Sequence, residues 1–147
     1  MPVYIDINRC IGCRTCEAAC QMEHGGRGHI NVQYVEDLVA VPIFCHHCEE
    51  AFCATVCFTG ALHKEGETTA FDAEKCTGCG LCIYACPFGV VWADRTAHKC
   101  DLCRERKGGP ACISVCPAKA LSDDFDLEVS RARSHAARRA AAPSGVR

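Results

Sequence analysis

Residues 76–87 read Cys76-Thr77-Gly78-Cys79-Gly80-Leu81-Cys82-Ile83-Tyr84-Ala85-Cys86-Pro87. The same C-x2-C-x2-C-x3-C spacing ends the segment 4–20, and in both copies a short alternating run precedes it. Two variant groups carry four and eight residues between their second and third cysteines. The four quartets are Cys10, Cys13, Cys16 and Cys20; Cys45, Cys48, Cys53 and Cys57; Cys76, Cys79, Cys82 and Cys86; and Cys100, Cys103, Cys112 and Cys116. They account for all 16 cysteines of the 147-residue chain.

This spacing favours metal ligation over disulfides. Disulfides predominate in secreted chains, and residues 1–6 lack the basic and apolar segments of a signal peptide. Zinc also uses C-x2-C pairs, but structural zinc sites combine two separated pairs, commonly with histidine. A third cysteine three residues further on, with Pro87 after the last one, is typical of [4Fe–4S] ligation. At four thiolates per cluster, the cysteines are predicted to bind iron in four [4Fe–4S] clusters.

Composition and motifs limit the classes of protein to which the chain can belong. Aromatic residues make up only 7% of the chain, so folding is expected to depend on metal loading rather than on a large apolar core. The sequence has no run of about 18 apolar residues, and we expect neither a membrane span nor a nucleic acid partner. Free thiols indicate a reducing, cytoplasmic location. No phosphate-binding loop, catalytic triad or paired-carboxylate site is recognisable, so catalysis is not predicted.

The residue pattern predicts short elements around the quartets. Strands are predicted at 3–7, 31–44 (two strands and a turn), 62–64 with 69–72 as a hairpin, and 90–93. Short helices are predicted at 15–21, 51–56, 81–85 and 111–115. A longer helix is predicted from Asp123 to Ala142, with Ser122 as its N-cap. Residues 122–147 therefore form a C-terminal extension, either a frayed tail or, as we favour, a helix that docks a partner.

Several residues near the quartets have two interpretations. Arg9, Lys75 and Lys99 each precede a first cysteine, and either offset the negative charge of a cluster or are solvated loop residues. His46 and His47 are expected to be exposed or hydrogen-bonded rather than iron ligands.

Three aromatic residues near the cysteines, Phe58, Tyr84 and Trp92, are interpreted as core packing. Residues 104–107 are either a basic docking patch or a solvated loop. The glycine-rich residues 25–28 follow no predicted strand and are interpreted as a flexible turn.

The cysteine pattern over residues 3–121 resembles the four-cluster iron–sulfur subunits of molybdenum and tungsten oxidoreductases, carbon monoxide dehydrogenases and some hydrogenases. The resemblance implies an α+β, ferredoxin-like fold in which two two-cluster modules interleave within a domain of residues 1–121. It also implies ligands shared between quartets. These are Cys10, Cys13, Cys16 and Cys116 for cluster 1; Cys20, Cys100, Cys103 and Cys112 for cluster 2; Cys45, Cys48, Cys53 and Cys86 for cluster 3; and Cys57, Cys76, Cys79 and Cys82 for cluster 4.

The resemblance implies a non-catalytic subunit that relays single electrons between a catalytic oxidoreductase subunit and another redox partner. The short chain is further similar to the polyferredoxin subunit of tungsten aldehyde oxidoreductases, which implies stacking of copies into a filament. A ferredoxin, or a flavin- or NAD-reducing subunit, is the other implied partner. Phe58 stands where relatives often have proline. The alternatives are a free-standing electron shuttle, a protein whose main role is filament assembly, and an enzyme with an open iron site.

Overall fold

A computed structural model describes residues 2–141, in which cysteine loops alternate with short helices and strand pairs. The helices are α1 (Thr15–Glu23), α2 (Phe52–Thr55), α3 (Leu81–Ala85), α4 (Ala111–Ser114) and α5 (Phe125–Ala141), with a 3-10 turn at Ala73–Lys75. The strands are β1 (Tyr4–Ile5), β2 (Ile30–Val35), β3 (Val39–Phe44), β4 (Leu62–Glu65), β5 (Thr68–Phe71), β6 (Trp92–Ala93), β7 (Ala97–His98) and β8 (Leu121–Ser122). They form antiparallel pairs, β1–β8, β2–β3, β4–β5 and β6–β7, which confirms an α+β fold.

The first and fourth quartets lie together in what we call the outer half, with β1, β8, α1 and α4. Tyr4 pairs with Ser122 and Ile5 with Leu121, so the beginning of the chain meets the segment after the fourth quartet. Helix α1 packs against α4. The buried core of this half consists of Val3, Cys16, Cys20, Ile30, Val32, Phe44 and Leu121. Cysteines from opposite ends of the sequence are thereby brought into one region.

The second and third quartets form the inner half, with β4, β5, α2 and α3. Strands β4 and β5 make the predicted hairpin, from the pair Leu62–Phe71 to the pair Glu65–Thr68. The turn passes through Gly66 at a φ of 58°, which glycine adopts without the steric cost of a Cβ. Helix α2 packs against α3, and the buried residues of this half are Leu62, Cys82, Val91 and Ala97.

Two predicted strands are shorter than expected. The run 3–7 keeps only Tyr4–Ile5 as a strand, because Asp6 Oδ1 accepts a hydrogen bond from the Asn8 amide at 3.1 Å and turns the chain. The run 90–93 keeps only Trp92–Ala93. The longer hairpin β2–β3, predicted within residues 31–44, is confirmed.

Helix α5 begins at Phe125, not at Asp123, and its predicted cap was wrong. Ser122 belongs to β8, whereas Asp124 Oδ1 accepts the Leu127 amide hydrogen at 2.9 Å and caps the helix. None of the residues of α5 is buried. The helix contacts the outer half through a Tyr4–Phe125 ring pair (5.5 Å) and a 3.3 Å contact of His135 Nε2 with Asp6 Oδ2.

The predicted end of that helix, Ala142, lies outside the described residues. Between residues 2 and 141, no helix combines the length and the apolar character needed to span a bilayer.

Candidate metal centres

Cysteines from both ends of the sequence line a cavity in the outer half. Its sulfur-bearing residues are Cys10, Cys13, Cys16 and Cys116. Burial, with smaller contributions from the neighbouring thiols of Cys116, Cys13 and Cys10, raises the pKa of Cys16 to about 11. The Ala120 amide donates to Cys116 Sγ at 3.3 Å. Loops from the first and fourth quartets thus converge on one pocket that a soft metal would suit.

A second cavity in the inner half repeats this arrangement. Its cysteines are Cys57, Cys76, Cys79 and Cys82. Burial raises the pKa of Cys82, and the thiols of Cys79, Cys57 and Cys76 act in the same direction. Backbone amides again point at sulfur, since Leu62 N lies 3.3 Å from Cys57 Sγ and Ala97 N lies 3.4 Å from Cys76 Sγ. The two cavities have matching donor sets from different pairs of quartets.

Four further cysteines of the outer half lie near one another. Burial, with smaller contributions from the nearby thiols of Cys20 and Cys103, raises the pKa of Cys112 to about 12. Burial also raises the pKa of Cys100 to about 12. Two of these sulfurs accept backbone hydrogen bonds, Cys20 Sγ from His29 N (3.1 Å) and Cys100 Sγ from Leu102 N (3.4 Å).

The remaining inner-half cysteines are also grouped. Burial raises the pKa of Cys45, on which the thiols of Cys48 and Cys86 act in the same direction. Burial likewise raises the pKa of Cys53, to which Cys45 and Cys86 add. The structure therefore brings each predicted ligand set into one neighbourhood.

The four groups of cysteines are arranged in a row, each next to the following one. The thiol of Cys16, from the first cavity, raises the pKa of Cys112 in addition to the effect of burial. The thiol of Cys45 acts in the same way on Cys100. Helix α3 carries Cys82 of the second cavity, and Cys86 follows directly as the residue that ends the helix. Each group thus has a cysteine that interacts with a cysteine of the next group or lies one helical turn from it.

Glycines in the repeated loops lie close against neighbouring residues. Gly12 has a φ of 68°, and a Cβ there would lie 2.9 Å from Ala40 Cβ and 3.0 Å from the Tyr34 hydroxyl, which itself donates to Gly12 O at 2.8 Å. Gly78 has a φ of 71°, and a Cβ there would overlap the Arg95 carbonyl oxygen. Both loops therefore leave no space for a side chain at this position.

The three basic residues that precede quartets differ in environment. Arg9 is exposed and donates to the Ala118 carbonyl at 3.1 Å, and Lys75 pairs with Asp72 at 3.0 Å on the surface. Lys99 is only 5% exposed, so the solvated-loop interpretation is wrong for this residue.

The two histidines of the second quartet also differ. His46 is exposed, with its ring 4.3 Å from that of Phe88. His47 is 3% exposed and its Nδ1 accepts the Thr69 amide hydrogen at 3.2 Å. Burial lowers the pKa of His47 to about 3, to which the charge of Lys99 contributes, so its ring is neutral.

The neutral ring of His47 carries its hydrogen on Nε2, because Nδ1 is an acceptor. That Nε2 atom is buried and has no hydrogen-bond partner among residues 2–141. It lies between Cys45 and Cys48 in the sequence, where the sulfur atoms of a cluster would supply an acceptor. The site therefore fits an iron–sulfur group.

Sequence reasoning missed one polar group beside Cys103. His24 Nε2 lies 3.8 Å from Cys103 Sγ and 3.6 Å from Asp101 Oδ1. His24 follows the first quartet in the sequence, but nothing in its spacing points to a cysteine of the fourth.

Core packing was the wrong interpretation for two aromatic residues. Tyr84 is 91% exposed and Phe58 is 72% exposed, whereas Trp92 is partly buried and stacks on His98 at 4.1 Å. In the loop 104–107, Arg104 contacts Glu65 Oε2 and Thr68 Oγ1, each at 2.6 Å, so at least this residue is engaged within the chain.

Comparison with known proteins places these loops in a recognised group. Residues 36–124 match the 4Fe-4S dicluster domain, and residues 7–23 match a 4Fe-4S binding domain. The chain is 43% identical to UacF of Escherichia coli K12 over 89% of its own length and 23% of that protein. From the same strain, YsaA is 37% identical (81% of this chain, 86% of YsaA). The electron transport protein HydN is 33% identical (81% of this chain, 85% of HydN).

The chain spans under a quarter of UacF but most of YsaA and HydN. The dicluster match covers more than half of the chain, and the 4Fe-4S binding match includes the first quartet. This chain belongs to the 4Fe-4S dicluster domain family.

Proposed function

We propose that this chain is an electron-transfer subunit that relays single electrons through four [4Fe–4S] clusters. The observation that carries the proposal is the pairing of cysteine loops, since each of two cavities is lined by three cysteines of one quartet and one of another. Fourth cysteines that ligate a different cluster are typical of two-cluster ferredoxins. HydN, which is similar to this chain over most of both lengths, is named an electron transport protein.

The proposed ligand sets follow the four groups of neighbouring cysteines. They are Cys10, Cys13, Cys16 and Cys116; Cys20, Cys100, Cys103 and Cys112; Cys45, Cys48, Cys53 and Cys86; and Cys57, Cys76, Cys79 and Cys82. On this assignment, the outer and inner halves are two two-cluster modules that interleave along residues 1–121. The strand pairs β1–β8 and β4–β5, one in each half, support the arrangement.

The residues of the chain would hold the clusters, orient their cysteine ligands and shield them from water. A bound [4Fe–4S] cluster accepts and releases one electron. Amides such as Ala120 N and Leu62 N already point at cysteine sulfur, so they stabilise negative charge there without rearrangement. Burial of Cys16 and Cys82 limits water at the two cavities. Cys13 and Cys79 are exposed and bring the ends of the cluster row to the surface.

The partner that we propose is a catalytic oxidoreductase subunit of the molybdenum or tungsten type, with a second redox protein at the other end. Phe58, Leu81 and Tyr84 expose apolar surface in the inner half beside Cys79, as a docking face would. Residues 122–147 are proposed to contact a partner or another copy of this chain, because α5 buries none of its residues.

Paired serine substitutions test the ligand assignment. Cys10→Ser and Cys116→Ser come from different quartets but should remove the same cluster signal from the electron paramagnetic resonance spectrum of the reduced protein. Cys16→Ser and Cys20→Ser come from one quartet but should affect two different signals. Identical spectra for Cys16→Ser and Cys20→Ser would contradict the shared ligation.

Native purification tests the partner. Under anaerobic conditions we expect a large catalytic subunit to elute with this chain and to transfer electrons to it. A chain that elutes alone from its native host and reduces soluble acceptors would favour the free-standing shuttle. Truncation before Asp123 that abolishes oligomers while all clusters remain would favour the filament.

A further inference from the structure

Lys99 is the one lysine or arginine that is buried among residues 2–141. Its ammonium group donates to two carbonyl oxygens, of Thr69 at 2.6 Å and of Cys100 at 2.8 Å. In the described part of the chain, no carboxylate oxygen lies within the 4 Å that would form an ion pair with it. A buried cation without an anionic partner is costly, so the position requires negative charge from another source.

The contacts of Lys99 place it where the two halves meet. Thr69 belongs to β5 of the inner half, and its amide donates to His47 in the second quartet. Cys100 opens the fourth quartet, in the outer half. The side chain of Lys99 therefore bridges the two halves through the Thr69 carbonyl.

Cysteines of both halves lie close to Lys99 along the chain and through its contacts. The ammonium group contacts the carbonyl oxygen of Cys100 itself, and Thr69, its other partner, donates to His47, which stands between Cys45 and Cys48. Cys45 and Cys48 belong to the proposed third ligand set, and Cys100 belongs to the second. Lys99 is thus close to the two sets in the middle of the row.

We propose that Lys99 sets the reduction potentials of the two middle clusters, 2 and 3, by supplying the positive charge that favours their reduced forms. The inference rests on the proposed four-cluster assignment. One added electron makes a cluster more negative by one charge, so a nearby fixed cation stabilises the reduced form more than the oxidised form. Lys99 is not a ligand and acts only through its charge.

Lys75 and Lys99 stand at the same position of two quartets but in different environments. Lys75 occupies the position in the third quartet that Lys99 occupies in the fourth, but it is exposed and paired with Asp72. Water and that carboxylate screen its charge. Lys75→Met is therefore a matched control for Lys99→Met, because both substitutions remove one positive charge from the residue before a first cysteine.

A redox titration followed by electron paramagnetic resonance tests this role. In Lys99→Met, we expect the equilibrium constant for reduction of two clusters to fall about tenfold, which is about 59 mV for a one-electron couple. Cys20→Ser identifies the signal of cluster 2, and Cys48→Ser identifies that of cluster 3. Clusters 1 and 4 should change less, and Lys99→Arg and Lys75→Met should keep all four potentials.

Lys99→Gln covers the case in which methionine prevents cluster assembly, since the amide still donates to the Thr69 carbonyl. Unchanged potentials in the loaded Met or Gln variant would overturn the proposal. Loss of clusters in both, with Arg fully loaded, would also overturn it and assign Lys99 a role in assembly. Fewer than four clusters in the unaltered protein would instead contradict the proposed function, whatever the potentials.

Discussion

The outer and inner halves each combine one C-x2-C-x2-C-x3-C quartet with one variant quartet, but they close their backbones differently. The inner half closes locally, through four-residue strands joined by a tight turn at Gly66. The outer half closes through two-residue strands from opposite ends of the sequence, with α5 laid against Asp6 and Tyr4. Local closure costs little chain entropy. The outer half instead depends on contacts between residues that are far apart in the sequence, which cost more. The difference shows that similar cysteine quartets can be held by local strand pairing or by strand pairing between distant parts of the sequence.

Removing the metal should erase the difference between the halves. In the part of the chain described here, every sheet has two strands and no large side chain is fully buried, so neither half has a core that is stable alone. Anaerobic chelation with a reductant present should abolish cooperative thermal unfolding monitored by circular dichroism. An apo chain that still melts cooperatively would contradict a metal-dependent fold.

A substitution at Gly78 should damage the inner half more than its counterpart damages the outer half. An Ala Cβ at 78 would meet the Arg95 backbone oxygen, whereas at Gly12 it would meet the Ala40 side chain. We expect Gly78→Ala to cost about 3 kcal/mol, from positive φ together with a forced backbone shift. Denaturant unfolding of the loaded protein measures the loss.

Gly89→Ala is the control for this pair, because Gly89 has a φ of 62° but nothing within 4 Å of its Cβ position. It should cost about 1 kcal/mol, from the backbone conformation alone. Equal losses at the three glycines would show that the packing over the loops contributes nothing.

Truncation before Asp123 should weaken only the outer half. It removes the His135 contact with Asp6 and the Arg131 hydrogen bond to the Lys119 carbonyl, worth about 2 kcal/mol together. Hydrogen exchange should accelerate at the Asp6 amide, which bonds to Ala120 O, and stay slow in β4 and β5. Equal acceleration in β4 and β5 would mean that the halves open as one unit.

Glu17→Gln should give a small effect that is also confined to the outer half. Glu17 is buried, accepts two hydrogen bonds from Arg14 and receives the Val32 amide at 3.4 Å, so it ties α1 to hairpin β2–β3. Ile83 occupies the same place in the third quartet, so the inner half lacks this tie. We expect a loss of about 1 kcal/mol in denaturant unfolding. An unchanged midpoint would show that this tie does not contribute to stability.

Much of this comparison could be predicted from the sequence, because cysteine spacing and strand alternation are local signals. Hairpins β2–β3 and β4–β5 and helix α3 lie close to where the residue pattern predicted them. The spacing of the quartets also indicated iron–sulfur ligation, in agreement with the family match.

The features that the sequence did not reveal depend on residues that are distant in the sequence but close in the fold. Ser122 has the chemistry of a helix cap, but its pairing with Tyr4 draws it into β8 and leaves Asp124 to cap α5. Lys99 and Lys75 have the same local context, yet only Lys99 is covered, by β5. Tyr84 projects from α3 into solvent, although aromatic residues beside cysteines usually suggest burial.

The iron and acid-labile sulfide content of the anaerobically purified protein tests the central claim most directly. Four clusters in one chain predict about sixteen irons and about sixteen sulfides per polypeptide, since each cubane holds four of each. Mössbauer spectra should then show only [4Fe–4S] centres. About eight irons in fully loaded protein, or zinc in place of iron, would contradict the account.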